Sequence, residues 1–569
     1  MQRASPLAAV CSTSFTPAVP YYARTSISLR GGSRRSGAGG GRTVIERKDR
    51  RAVRQSASDG SAWHEEEGCS SAPACWEADG GGVIFSGEEI ARVVEGELLR
   101  GGPRGSIGTD SRSLLPGQWF VALDGYNFDG YAFVEDAARA GCAGAVSSRA
   151  PPTGWTGGYV VVADTLLALQ RLAADVRNRF KGPVVGITGS VGKTTTRALT
   201  ALALRSFGEV HHTRGNLNNH VGVPLTLLRM PATTEVCVLE LGMSGFGEIA
   251  RLAEIARPTV RVVINVAPVH LEGVGGSLQG VARAKGELFA TAVQGDICVV
   301  NADDTWVSSL PVPPGCEVLT FGTVRQDSSD EAQPDIVLSG VRSTGFREVT
   351  FSLTETARGN AEVTDVPSSS DTVTISEPGA HLAMNAAAAA AVAAALGLPL
   401  SDVCRDLCRF ESLEMRMRVI EVPARGILCL DDSYNASPAS VRSALRTLHN
   451  ARQGQPEDTR RAVVLLGDML ELGPHSLQYH EDILDACLDH GFDLVGLVGP
   501  EYCRALASVA ARGGDVSAAV AGADAANLWE KVKGAVNSGP AVVLVKGSRG
   551  MKMDYIVQRL TRSQDELRV

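Results

Sequence analysis

One stretch constrains the fold of this chain more than any other: Val184-Val185-Gly186-Ile187-Thr188-Gly189-Ser190-Val191-Gly192-Lys193-Thr194-Thr195-Thr196. Its first residues are apolar or small and read as a buried strand of a parallel sheet. A glycine-rich turn follows, and 194–205 reads as a helix. A strand, a tight turn and a helix N-terminus in that order gather backbone N–H groups around one anion, with Lys193 beside it. In such a loop the lysine lies against the β- and γ-phosphates, and the Thr194 hydroxyl reaches Mg²⁺. The strict phosphate-loop pattern asks for glycine at 187, where this chain has Ile187. The loop is therefore the variant Gly189-Ser190-Val191-Gly192-Lys193-Thr194-Thr195, led by Thr188. A Gly-Lys-Thr triplet in an arbitrary loop means little; one set between a strand and a helix predicts nucleotide binding.

A chain of 569 residues exceeds a single core and predicts two to four domains. No apolar run reaches the roughly 18 residues that span a bilayer; the stretch 386–400 is mostly alanine and reads as a packed helix. Residues 1–60 carry ten Arg, one Lys and three acidic residues, are rich in Ser, Ala and Gly, and lack a long apolar segment. That composition predicts an organelle transit peptide rather than a secretion signal, a disordered basic tail being the plainer alternative. The remaining chain has 44 basic and 60 acidic side chains, a net charge near −16, which argues against nucleic acid as a partner. The twelve cysteines include no Cys-x-x-Cys pair and read as reduced thiols.

The rest of the chain sorts into three α/β segments. Residues 61–82 read as linker, and a first domain spans 83–181, opening on a helix at 86–98 capped by Ser86. The central domain, 182–418, repeats buried strands at 236–242, 260–266 and 297–301, each running into polar residues. Strands alternating with helices predict a parallel sheet whose ligands sit at the carboxyl ends of its strands. From 317 onward shorter strands and acidic, Ser-rich loops (326–335, 355–371) predict an antiparallel addition, closed by a helix at 380–397. The C-terminal domain, 419–569, has strands at 427–432, 462–467, 494–498 and 541–546.

The polar residues at those strand ends are the candidate chemistry. Glu240 ends a strand beside the phosphate loop and suits a Mg²⁺ shared with Thr194, although a surface or capping role is open to it. A lone histidine such as His270 is as readily structural as catalytic, and for Lys285 on its helix the sequence alone favours a salt-bridge role. Asn216, Asn218 and Asn219 form a polar loop that turn chemistry alone could explain. Asp432, Tyr434 and Asn435 follow one strand and Lys546, Ser548 and Arg549 another, the two cations suiting an anionic substrate. Ligand edges in two separate domains predict reactants brought together by closure.

The phosphate loop, followed by Glu240, His270 and Lys285, resembles that of the Mur ligase family. Further segments resemble the MurF type within it. They are Phe120-Val121-Ala122-Leu123 with Phe128-Asp129-Gly130, Gly215-Asn216-Leu217-Asn218-Asn219, Asp431-Asp432-Ser433-Tyr434-Asn435-Ala436, Leu466-Gly467-Asp468-Met469-Leu470-Glu471-Leu472-Gly473, and Val545-Lys546-Gly547-Ser548-Arg549. The resemblance covers essentially 83–565. The chain departs from the family pattern at Met243-Ser244, Tyr131, Ser437 and Leu382, and in Met415-Arg416-Met417.

This resemblance implies a three-domain architecture: an N-terminal α/β domain, a central parallel-sheet ATPase domain and a C-terminal Rossmann-like α/β domain. It implies a monomeric ATP-dependent ligase of peptidoglycan precursor synthesis, joining D-alanyl-D-alanine to UDP-N-acetylmuramoyl-tripeptide through an acyl phosphate. It further implies that Thr194 and Glu240 hold one Mg²⁺, and His270 and a carbamylated Lys285 a second. By the same resemblance Asn301, Asn385 and Arg416 hold ATP with the loop, and Ser111, Arg112, Asp129 and Gly130 bind the UDP end. Asn216, Asn218, Asn219, Asp432, Tyr434, Asn435, Lys546, Ser548 and Arg549 then face the peptide substrates. With a wall ligase behind it, the basic leader points to the plastid stroma. A MurE-type ligase, a folylpolyglutamate synthase-like ligase and a non-catalytic nucleotide-binding homologue are the alternatives.

Overall fold

The computed structural model describes residues 82–562 apart from 126–127, 325–332, 357–369 and 456. The expected leader at 1–60, the linker up to residue 81 and most of the two acidic loops lie outside the described residues.

Three main sheets follow one another along the chain. The first comprises β1 (Glu97–Arg100), β2 (Ile107–Gly108), β3 (Trp119–Val121), β6 (Gly144–Ser147) and β7 (Gly158–Val161), with β4 (Asp124–Gly125) and β5 (Phe128–Asp129) forming a separate hairpin. Its order is β1-β7-β6-β3-β2, parallel except at β1. The expected helix at 86–98 is shorter. It runs Gly87–Val94 behind a Ser86/Glu89 capping box and stops where Glu95 turns left-handed (φ 57°). The next residues form β1, an edge strand whose Leu98 and Leu99 are exposed, so their hydrophobicity imitated a helix face that the fold does not use.

The central sheet has nine strands: β8 (Val184–Thr188), β9 (Val210–His212), β10 (Val236–Glu240), β11 (Val260–Val263), β12 (Ile297–Asn301), β13 (Glu317–Thr323), β14 (Ile336–Thr344), β15 (Glu348–Glu355) and β16 (Ser370–Ile375). All five residues of β8 and of β10 are buried, which is why both read as continuous apolar runs. The order is β16-β15-β14-β13-β12-β11-β8-β10-β9. The antiparallel addition is smaller than expected: β13 and β14 continue the parallel sheet, and antiparallel pairing is confined to β14–β15 and β15–β16, with β15 alone running against the rest. The alanine-rich helix His381–Ala395 packs against Lys193–Ala203 and the sheet, its small side chains permitting close approach.

The third sheet comprises β17 (Arg418–Val422), β18 (Ile427–Asp432), β19 (Arg461–Gly467), β20 (Leu494–Val498), β21 (Ala519–Gly522) and β22 (Ala541–Lys546), ordered β17-β18-β22-β19-β20-β21. It is parallel except for β17. In the central sheet the chain leaves β8, pairs β10 on one side of it, then crosses to β11 on the other. The phosphate loop therefore emerges at a topological switch point, where parallel sheets bind ligands. Among the described residues no helix is long and apolar enough to cross a membrane, and the nine described cysteines are free.

Candidate active site

The carboxyl ends of the central and C-terminal sheets line one cleft of about 700 Å³. Within it the phosphate loop is held by a neighbouring strand end. The Asn265 side-chain oxygen accepts from the backbone N–H of Ser190 (3.1 Å) and Val191 (2.9 Å), and its amide donates to the Val191 carbonyl (3.0 Å). Ser190 Oγ donates to the Ala267 carbonyl (3.0 Å) and accepts from the Ala267 N–H (2.8 Å). These ties commit the N–H groups of Ser190 and Val191 to the protein. Among the described residues the N–H groups of Lys193, Thr194 and Thr195, which begin the helix, have no partner one turn back and are left for an anion, whereas Thr196 N–H already donates to the Gly192 carbonyl (2.8 Å). Gly192 has φ 84°, and a Cβ there would come within 2.8 Å of Asn385 Oδ1, so a larger residue would be both strained and obstructed. Lys193 Nζ donates to the Gly189 carbonyl at 2.9 Å. Burial pushes its pKa down, Glu240 partly restores it, and Arg416 lowers it again.

Glu240 is 2% exposed. Its Oε1 accepts from Asn218 Nδ2 (2.8 Å), while its Oε2 has no hydrogen-bond partner among the described residues. An orphaned buried carboxylate oxygen is costly unless something cationic meets it. Thr194, also buried, lines the same cleft, so this pair fits a divalent cation. His270 lines the cleft with a left-handed backbone (φ 51°), its Nδ1 against the carboxylate of Glu471. Burial lowers its pKa, Glu471 opposing this and Lys193 and Lys285 adding to it.

Lys285, on the helix Leu278–Ala290, is 1% exposed and has no carboxylate in salt-bridge range among the described residues. The ordinary salt-bridge reading therefore has no partner. Burial, then Lys193, push its amine well below its usual pKa. A neutral amine is what carbamylation by CO₂ requires, whereas a bare ammonium offers donors only. His270 and Lys285 fit a second cation only with that modification.

Across the cleft, Lys546 is committed: its Nζ donates to Asp432 Oδ2 (2.6 Å) and the Asn435 carbonyl (2.8 Å). Of the two expected cations Arg549 is the less committed, with its side chain 60% exposed and Asp554 3.6 Å away. Ser548 Oγ accepts from the Leu470 N–H (3.0 Å), and Arg416 stacks 4.2 Å over the Tyr434 ring.

Residues 187–393 match the family model of the Mur ligase middle domain, and 415–549 that of the Mur ligase glutamate ligase domain. The UDP-N-acetylmuramoyl-tripeptide–D-alanyl-D-alanine ligase of Escherichia coli is 34% identical over 80% of this chain and 93% of its own. The chain belongs to the Mur ligase family. The crystal structure of MurF from Acinetobacter baumannii superposes with a TM-score of 0.72 at 27% identity, covering 85% of this chain and all of that one. MurF from Thermotoga maritima in complex with ADP gives 0.66 at 26% identity, over 82% and 99%. These relatives set the chain with the MurF type.

Within this Mur ligase fold, not every expected residue reaches the cleft. Asn216, Asn219, Asn385, Tyr434 and Asn435 line it. Asn301 is buried at the end of β12, its amide donating to the Ile264 carbonyl (2.8 Å) and its oxygen accepting from the Asp303 N–H (3.0 Å). Both ends of the side chain are occupied in tying β11 to the loop after β12. Arg112 is paired with Asp110 (2.7 Å), Asp129 with Arg149 (3.0 Å), and Gly130 packs on the Leu123 backbone. With Ser111 they are absent from the cleft lining, as is the buried Lys285. Sequence reasoning missed Asn265, Glu471 and His381. His381 lines the cleft with Nδ1 unpartnered among the described residues. Asn265 carried the same signal as Glu240, a polar residue soon after a buried strand.

Proposed function

We propose that this ATP-dependent peptide ligase joins D-alanyl-D-alanine to UDP-N-acetylmuramoyl-tripeptide through an acyl phosphate. The observation that carries the reading is one cleft shared by the phosphate loop with Glu240 and by the loop of Asp432, Tyr434 and Asn435. A carboxylate is a poor electrophile; transfer of the γ-phosphoryl group to its oxygen releases ADP and supplies a leaving group. The dipeptide amine then attacks the acyl carbon. The C–N bond forms as the C–O bond to phosphate breaks, phosphate leaves with the electron pair, and the amine sheds a proton. Lys193 offsets charge on the transferring phosphoryl group, and the helix N-terminus after Gly192 orients it.

Thr194 and Glu240 would hold one Mg²⁺, and His270 with carbamylated Lys285 a second; the ions, when bound, stabilise negative charge on the phosphoryl oxygens. Asn385 and Arg416 hold the nucleotide. The Lys546–Asp432 pair fixes the loop presenting Tyr434 and Asn435 to the dipeptide, and Arg549 meets a carboxylate. The domain at 83–181 takes the UDP end, the domain at 182–418 takes ATP, and the domain at 419–569 takes the dipeptide. The leader directs a monomeric enzyme to the plastid stroma.

Phosphate release measured with UDP-N-acetylmuramoyl-tripeptide and each acceptor tests this. D-alanyl-D-alanine should support turnover and a single amino acid should do so poorly. Robust activity with diaminopimelate or lysine on a dipeptide precursor would reassign the chain to the MurE type.

A further inference from the structure

The segment Leu466-Gly467-Asp468-Met469-Leu470-Glu471-Leu472-Gly473 joins the C-terminal sheet to the edge of the cleft. Its first half is pinned inside the C-terminal domain. Asp468 accepts from the N–H groups of Glu501 and Tyr502 (both 2.9 Å) at the start of the helix Pro500–Ala511. The Met469 N–H donates to buried His480 Nε2 (2.9 Å), and the Leu470 N–H to Ser548 Oγ (3.0 Å). The chain then turns left-handed at Glu471 (φ 63°), a conformation disfavoured for a non-glycine residue and held here by the three pinned neighbours. That turn carries Glu471 onto the central domain. Its carbonyl accepts from the Leu271 N–H (3.2 Å), and its carboxylate meets His270 Nδ1, 201 residues away in sequence. His270 is itself left-handed (φ 51°), so two strained non-glycine residues face each other across the domain boundary.

We propose that Glu471 is a positioning residue. On closure of the C-terminal domain its carboxylate takes the Nδ1–H of His270 and leaves Nε2 as the ring's acceptor for a divalent cation. The contact fixes the tautomer and the ring orientation together, as an outer carboxylate does for a metal-binding histidine. Because the carboxylate belongs to the domain expected to carry the dipeptide, the imidazole is set only when the two ligand edges meet. The inference rests on His270 as a cation ligand.

The test is Mn²⁺ titration of the full chain with a non-hydrolysable ATP analogue, free Mn²⁺ being read by electron paramagnetic resonance. His270→Ala measures how far the ring matters. Glu471→Met is expected to weaken the same cation about 10-fold, the low end for loss of an outer partner. Glu471→Gln, whose amide oxygen still accepts from Nδ1–H, should stay near wild type. Both variants keep an unbranched side chain at a position 55% exposed, so thermal unfolding should barely move. Wild-type Mn²⁺ affinity in Glu471→Met, with a clear loss in His270→Ala, overturns the role of Glu471 alone. No loss in His270→Ala overturns it together with the cation reading of His270.

Discussion

Replacing Asn265 with alanine tests whether the phosphate loop is preformed. Two of its bonds have no substitute: the one from the Val191 N–H (2.9 Å) and the one to the Val191 carbonyl (3.0 Å). The Ser190 N–H also reaches the main-chain oxygen of Asn265 at 3.0 Å and keeps a partner after truncation. At about 1 kcal/mol per bond the side chain holds the loop by ~2 kcal/mol. Without it the competent loop falls to as little as about one part in thirty, and apparent ATP affinity falls by up to ~30-fold in proportion. Asn265→Asp separates pinning from simple acceptance. It still accepts from both N–H groups but cannot donate to Val191, and it sets a carboxylate beside the phosphates. It should therefore bind ATP no better than Asn265→Ala. Calorimetric titration with ATP gives the affinity, and thermal unfolding checks that only the loop has loosened. An Asn265→Ala dissociation constant within twofold of wild type would falsify the pinning argument.

Lys193→Ala should lower turnover by at least the ~10²-fold typical of one lost electrostatic contact, with the fold retained; near-wild-type phosphate release would refute the nucleotide assignment. Lys285→Ala should nearly abolish turnover and regain part of it when short carboxylic acids fill the vacated oxygen site, whereas full activity would reject the carbamate. Burial pushes the His211 pKa down to about 4, so the unfolded chain takes up its proton first as the pH falls. Stability should then drop between about pH 6.5 and 4, by up to ~3 kcal/mol from this residue, and His211→Gln should flatten that part of the curve in urea melts. Residues 1–80 fused to a fluorescent protein should carry it to plastids; a uniformly cytosolic signal would end that reading.

What the sequence made legible follows from burial. Strands buried on both faces, such as β8, β10 and β22, read as unbroken apolar runs, and the polar residues after them mark the ligand edges. Strand order was not readable, because a run that fits any position in a parallel sheet does not say which neighbours it has. Contacts were harder than positions. Asn218 stood out as polar, but only the fold shows it holding Glu240, and Lys546 looked like a free cation until Asp432 was found 2.6 Å away. Asn301 satisfied the same pattern as Glu240 and turned out to be spent on the backbone. Glu471 had no local signal for a contact 201 residues distant.

The charges of the cleft explain why two domains are needed. On the central side buried Lys193 lowers the pKa of both Lys285 and His270, and Glu240 is the carboxylate that raises that of Lys193. Lys193 and the helix N-terminus behind it favour a polyanion, which nucleotide phosphates supply. On the C-terminal side Lys546 is neutralised by Asp432, leaving a more nearly balanced surface for a zwitterionic dipeptide. A single surface could not serve both: a field strong enough to hold triphosphate would also repel an incoming ammonium and trap its carboxylate. Separate edges let each half keep its own field, and the Glu471–His270 contact adds a carboxylate to the cationic side where the two edges meet.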